Sequence, residues 1–426
     1  MLKAVQRVLE KWSLRAIGNR LDKRQLQHEL DIHRLFLVTS HFTRRAAGKH
    51  GGADLAAELA AEADVMGFQG MQEHVAQCLQ SQILRISTIM HTALQEAGND
   101  HAPATQSLLQ AQGSADDELF EAMAAAAGPI QRPRGLTMAI GRARPSTQQQ
   151  QQQQQPSIAQ HAPQAEQDAP CTAAREPARS LSMERVSAIV QERLGYSLHV
   201  GPSAIGHQEA GEGLWLDGKA HLGSVVALYP GIVYRPLHYR QIPGYPRVDQ
   251  DNDYLLARFD GAVLDAKPWG RGAAASAAMA GSLGPEKQRC DAAQTPIVHR
   301  LLAQETRHPL ALAHFANHPP AGSQANVMVA AFDISPSDVP AWLPAYIPNV
   351  MYSPTSATAP ASPASGSGHA LAELQLSRQP MAGLALVALR DLHNEELLLN
   401  YRLSPHVARP DWYTPVDADE DNRRWA

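Results

Sequence analysis

The pattern of apolar and polar positions changes character twice along the chain. Leu21–Arg45 and Leu55–Glu96 carry apolar residues at helical spacing with few glycines or prolines. In the second stretch Leu79, Ile83, Ile86, Ile89 and Met90 fall on one side, and the pattern predicts two long amphipathic helices. From about Ala97 the periodicity dissolves. Residues 101–180 are rich in Gln, Ala and Pro and include the homopolymer Gln148–Gln155. Such a composition buries too little apolar surface to offset its ordering entropy, so a disordered linker is expected there. Leu181–Leu194 reads as a short helix with Val186, Ile189, Val190 and Leu194 on one side.

Beyond Leu194 the apolar positions gather in short runs broken by Gly and Pro. Leu214–Leu216, Ser224–Tyr229, Gly231–Tyr234, Leu255–Phe259, Ala262–Asp265, Ala325–Asp333 and Leu384–Arg390 read as strands. Two stretches rich in small residues, 269–294 and 353–379, read as surface loops inserted into this β-rich part. The expected fold class is therefore α+β, with an N-terminal helical region over 1–100, the linker, and a β-rich domain over 181–413. Residues 414–426 read as an acidic tail.

Composition narrows the function classes. The 426 residues carry a net charge of −5, which gives no basic face for nucleic acid, and no direct nucleic-acid binding is expected. No run approaches the roughly 18 apolar residues of a membrane span. Cys78, Cys171 and Cys290 lie far apart and make neither a metal spacing nor a disulfide framework. Met1–Arg20 places Lys3, Arg7, Lys11, Arg15 and Arg20 against the single acid Glu10. It reads as a first helix with a basic face, and a mitochondrial or plastid presequence has the same look. The nucleus or cytoplasm is the expected compartment, with an organelle as the alternative.

Four short motifs carry candidate chemistry. Gly211-Glu-Gly213 lets the backbone approach a ligand closely, although a lone GxG is equally a tight turn. Tyr229-Pro-Gly231 is, alone, an ordinary strand end. His314 and His318 stand four apart, a spacing able to chelate zinc from one helix face. No third ligand follows at a recognisable spacing, so Asn317-His318 before Pro319-Pro320 is read as a helix end at a pocket rim, and no metal is expected. Glu396-Leu-Leu-Leu-Asn-Tyr401 follows the last strand and reads, alone, as an amphipathic turn.

Taken in order, these four motifs resemble the GxG, YxG, NH and late ELxxxY motifs of the SET domain protein methyltransferase superfamily. The resemblance covers about the last 230 residues and is most like the SET domain-containing protein 9 family. It implies a curved β fold with a pseudoknot, S-adenosyl-L-methionine as cofactor, and a protein or peptide partner carrying a lysine. It further implies that Gly211, Glu212, Gly213, Asn317, His318 and Trp412 hold the cofactor. Tyr401 and Tyr229 would be the catalytic tyrosines, and Tyr254 would line the lysine channel. Three positions depart from the common pattern: Pro319-Pro320 after the Asn-His pair, Asn400 ahead of Tyr401, and Leu228 ahead of Tyr229. They bear on turnover and substrate choice more than on cofactor binding. A weakly active or inactive SET-fold module that binds cofactor or a partner is the alternative expectation.

Overall fold

The sheets that the short apolar runs build are small, and each is finished by a segment distant in sequence. The computed structural model describes residues 23–48, 53–98, 183–248, 252–269, 308–352, 380–406 and 408–425. The N-terminal basic stretch, the linker and the two inserted loops beyond Trp269 and Tyr352 lie outside the described residues. Strand β1 (Tyr196–Pro202) pairs antiparallel with β2 (Glu212–Ala220), which pairs in turn with β10 (Leu392–Leu397). Strands β3 (Val225–Tyr229) and β7 (Val327–Ile334) flank β9 (Met381–Ala388) in a second antiparallel sheet. The third sheet has the order β5 (Leu255–Ala257), β6 (Val263–Asp265), β4 (Gly231–Tyr234), β8 (Asn349–Met351), with β4 and β8 parallel. With its helices, this is an α+β fold.

The helices lie where the periodicity put them. Helix α1 spans Lys23–Ala46 and α2 spans Ala53–Gly98, broken at Gly67, whose backbone leaves the helical region. Helix α3 is Met183–Leu194. Their apolar faces belong to the same core as the sheets. Phe36, Leu79, Ile83 and Met90 are fully buried and cluster with Val225, Leu228 and Val327. Burying each such side chain contributes about 2 kcal/mol, so helices and sheets stabilise one another. Polar contacts tighten the junction. Buried Gln82 of α2 donates to the Gly223 carbonyl (3.0 Å) and accepts from the Val225 amide (2.7 Å). A Cβ on Gly223 would sit 2.0 Å from the Val38 carbonyl oxygen, and its φ of +82° is one L residues avoid, so only glycine fits this approach.

Three readings of the sequence need correction here. The segment 414–426 is not a plain acidic tail: it contains helix α4 (Ala418–Trp425), packed on α1 with Glu420 and Asp421 buried. Asp419, Glu420 and Asp421 occupy its first turn and Arg423 and Arg424 its last, which suits the helix dipole. His314–His318 does not end an α-helix. Only the 3₁₀ turn Ala313–Phe315 forms, and Ala316 is already extended. Glu396, read alone as part of an exposed amphipathic turn, is a buried residue of β10.

Candidate functional site

After β10 the chain does not leave the surface. Leu398 and Leu399 run beside the segment holding Asn317 and Asn326, with parallel bridges Asn317 to Leu398 and Val327 to Leu399. The amide of Leu399 donates to the Asn317 carbonyl at 2.8 Å. Asn326 clamps the other side. Its side chain donates to the Glu396 carbonyl (2.8 Å) and accepts from the Leu398 amide (2.7 Å). This crossing brings the Asn-His motif against the late tyrosine motif, 83 residues apart in sequence.

On one side of the crossing lies a polar knot. The Asn317 carboxamide donates to the carbonyls of Ala210 and Glu212, both at 3.1 Å, and to Glu396 Oε1 at 3.3 Å. Glu396 also accepts from the Ser203 hydroxyl (2.7 Å) and the Ala204 amide (2.8 Å). Gly213 is needed for this fit, because a Cβ there would fall 2.1 Å from Glu396 Oε1. Gly211 differs. Its φ is +52°, and a Cβ would meet nothing within 4 Å, so its backbone faces open space.

His318 ties the knot to the chain end. Its Nε2 is 2.8 Å from the Thr414 carbonyl, and its Nδ1 is 3.2 Å from the Tyr401 amide. Those partners assign the proton to Nε2 and the lone pair to Nδ1. Burial, which disfavours the imidazolium, holds its pKa below the ordinary value. The His318 ring also lies 4.5 Å from Tyr413 and 6.3 Å from Trp412 between centroids. The Trp412 indole stacks on His207 (5.2 Å, 12°) and donates to Glu209.

On the other side stand three tyrosines and a histidine. The Tyr229 hydroxyl donates to the Tyr254 carbonyl (2.9 Å), and the Tyr401 hydroxyl donates to the Ala316 carbonyl (3.1 Å). Tyr229 is buried, whereas Tyr254 and Tyr401 keep 38 % and 36 % of their surface exposed. Desolvation pushes the Tyr401 phenol up to about 12, and neighbouring Asp253, Tyr254 and Glu396 add to the effect. Desolvation raises Tyr229 further, with Tyr401 next in effect. His314 sits edge-on to Tyr229 (6.3 Å) and Tyr254 (5.8 Å), and burial lowers its pKa to about 4. Tyr229, Tyr401 and His314 are therefore neutral near pH 7. Both His314 ring nitrogens are buried without a protein hydrogen-bond partner among the described residues.

The structure thus brings Gly211, Glu212, Gly213, Asn317, His318 and Trp412 together with Tyr229, Tyr254 and Tyr401. His314 and His318 face different partners and do not converge. Sequence reasoning missed Ser203, Asn326, the place of His314 beside the tyrosines and the structural role of Glu396. Asn326 sits in the Ala325-Asn-Val327 run and Glu396 in the last motif, so both lay in stretches already singled out. Ser203 had no signal, and the four-residue spacing that drew attention to His314 pointed to zinc, because the surroundings of both depend on contacts across the fold. No helix among the described residues is long and apolar enough to cross a membrane. Compared with known proteins, the chain matches no family model, and no curated protein is similar enough to count as a relative.

Proposed function

We propose that the chain is an S-adenosyl-L-methionine-dependent protein-lysine N-methyltransferase of the SET type. The observation that carries this reading is the crossing itself. It sets a polar knot around Asn317 against a cluster of neutral, desolvated tyrosines that includes Tyr401. The passage of Leu398–Tyr401 beside Asn317 and Asn326 supports a SET-type pseudoknot.

The residues present suit such a cofactor. Gly211 opens backbone onto free space, Asn317 holds the neighbouring Ala210 carbonyl, and Trp412 stands near His318 with its indole stacked on His207. Gly211, Glu212, Gly213, Asn317, His318 and Trp412 would hold it. The cofactor supplies an electrophilic methyl on a cationic sulfur, and tyrosine faces and oxygens suit a cation. A substrate lysine must enter as a neutral amine. At about pH 7.4 that costs roughly 4 kcal/mol from an ordinary pKa of about 10.4. A channel lined by Tyr254 and by the uncharged Tyr229, Tyr401 and His314 would disfavour the ammonium and lower that cost. Asp253 is exposed beside Tyr254 and draws the cationic side chain from water. The Tyr401 hydroxyl, donating to Ala316, keeps its own lone pairs free to orient the amine. Holding amine and methyl in line supplies much of the rate.

Calorimetric titration with S-adenosyl-L-methionine, followed by transfer to an array of lysine peptides, tests the reading. Expected are saturable binding that weakens in Asn317→Ala and lysine methylation that is lost in Tyr401→Phe. Tight binding with no transfer would instead support a cofactor-binding module without turnover.

A further inference from the structure

Tyr401 is followed by a residue held with unusual firmness. Arg402 adopts a left-handed backbone, φ 51°, which a non-glycine residue avoids unless its surroundings enforce it. Its amide donates to the Asn400 side chain (3.1 Å), and its carbonyl accepts from the Trp425 indole (2.6 Å). Its guanidinium donates to both oxygens of Asp31, each at 2.8 Å, and pairs with Glu420. Asp31 belongs to α1 and Glu420 to α4. Gln27 braces both acids, donating to Asp31 at 3.1 Å and to Glu420 at 3.3 Å. Arg34 lies 3.8 Å from Glu420, and Arg423 donates to Gln27 at 3.3 Å. A bidentate arginine pair fixes direction as well as distance. Helices from the two ends of the described chain therefore meet on the backbone unit next to Tyr401.

We propose that Asp31 and Glu420 are positioning residues for Tyr401, acting through Arg402. Tyr401 is itself held by its amide to His318 and its hydroxyl to Ala316, so a rotation at Arg402 moves the phenol. The helical N-terminal part is then a working part of the site. This inference rests on the reading of Tyr401 as the catalytic tyrosine.

A simple staple would predict a loss of stability alone. The full chain is therefore compared with Asp31→Asn, Arg402→Lys, the two combined, and an apolar pair, Asp31→Leu with Arg402→Met, made together with Glu420→Gln so that no buried carboxylate is left uncompensated. All are assayed well below the lowest unfolding temperature. Expected is a kcat about 10²-fold lower in each single variant, since misplacement of about 1 Å costs that much. Cofactor Kd should stay within about threefold. The double variant should lose no more than the singles, as residues acting through one unit do. The apolar pair should recover thermal stability, as such replacements often do, without recovering kcat. Additive losses, or a kcat that returns with stability in the apolar pair, would overturn the proposal. If the wild type transfers no methyl at all, the reading of the site fails, and the lock is judged by the Tyr401 phenol. With ¹³C-tyrosine, assigned through Tyr401→Phe, its titration should move down from about 12 in Asp31→Asn. An unchanged titration would overturn the proposal on its own.

Discussion

The two sides of the crossing are built by opposite means. Around Asn317 the fold spends polar groups freely: the carboxamide of Asn317, the carboxylate of Glu396, the hydroxyl of Ser203 and the amide of Ala204 bind one another at 2.7 to 3.3 Å. Around Tyr229 and Tyr401 it withholds them. There, rings pack on rings, each of these two hydroxyls donates to a single carbonyl, and His314 is left without a protein hydrogen-bond partner among the described residues. The first arrangement is rigid, since losing one member leaves others buried and unsatisfied. The second holds neutral groups in a low-polarity space, which tunes proton affinities. Under the proposed function, one side would hold the cofactor and the other would perform the chemistry.

Five changes would break or sharpen this contrast, from the largest effect to the smallest. Glu396→Leu should cost about 4 kcal/mol in a denaturant melt, because three donors lose a buried anionic acceptor. A loss under about 1 kcal/mol would mean that water replaces the carboxylate and the knot is not structural.

His314 provides the pH test. Its folded pKa, about 4, lies below the ordinary value of 6.5, so the unfolded chain binds the proton more readily. Stability should fall as pH drops from about 6.5 toward 4 and level off below. The His314 share is about 3 kcal/mol by the usual conversion. His314→Phe should flatten that part of the curve in urea melts at stepped pH, and an unaltered slope would place the effect elsewhere.

Gly213→Ala pushes a methyl against Glu396 Oε1 and should cost about 2 kcal/mol, read as a lowered unfolding midpoint. Gly211→Ala meets no neighbour, and its cost comes from the backbone alone: φ +52° with ψ −112° is a region almost confined to glycine, about 2 kcal/mol. A Gly213→Ala loss that is undiminished in the Glu396→Leu background would remove the distinction between a filled cradle and an open one. Trp412→Ala should weaken S-adenosyl-L-methionine about tenfold, roughly 1.4 kcal/mol, with the protein's melting little changed.

Elements set by neighbouring residues were legible in the sequence. The Gly211–Gly213 turn and the Tyr229 strand end could be read locally. What escaped was everything set by distant partners. Strand β1 carries Gly201 and Pro202 and pairs only through β2. Strand β8 is three residues long and exists because β4 lies parallel to it. Strand β10 looks like an acidic turn, since His393, Asn394 and Glu395 precede the buried Glu396, and Asn394 bulges at φ 46°. Helix α4 has Ala418 and Trp425 as its apolar residues and is held by Glu420 and Asp421, whose partners Arg402, Gln27, Arg409 and Tyr413 lie elsewhere. Hydrophobic periodicity cannot report an element stabilised by buried ion pairs.

The contrast between the two sides turns on whether the tyrosine side transfers a methyl group to lysine. Mass spectrometry of a lysine-peptide library incubated with the full chain and S-adenosyl-L-methionine measures this directly. The account predicts peptides heavier by one or more methyl groups, on lysine side chains, with the wild type and with Trp412→Ala at saturating cofactor, and none with Tyr401→Phe. Methylation that persists undiminished in Tyr401→Phe, or its absence from the wild type despite bound cofactor, would contradict it.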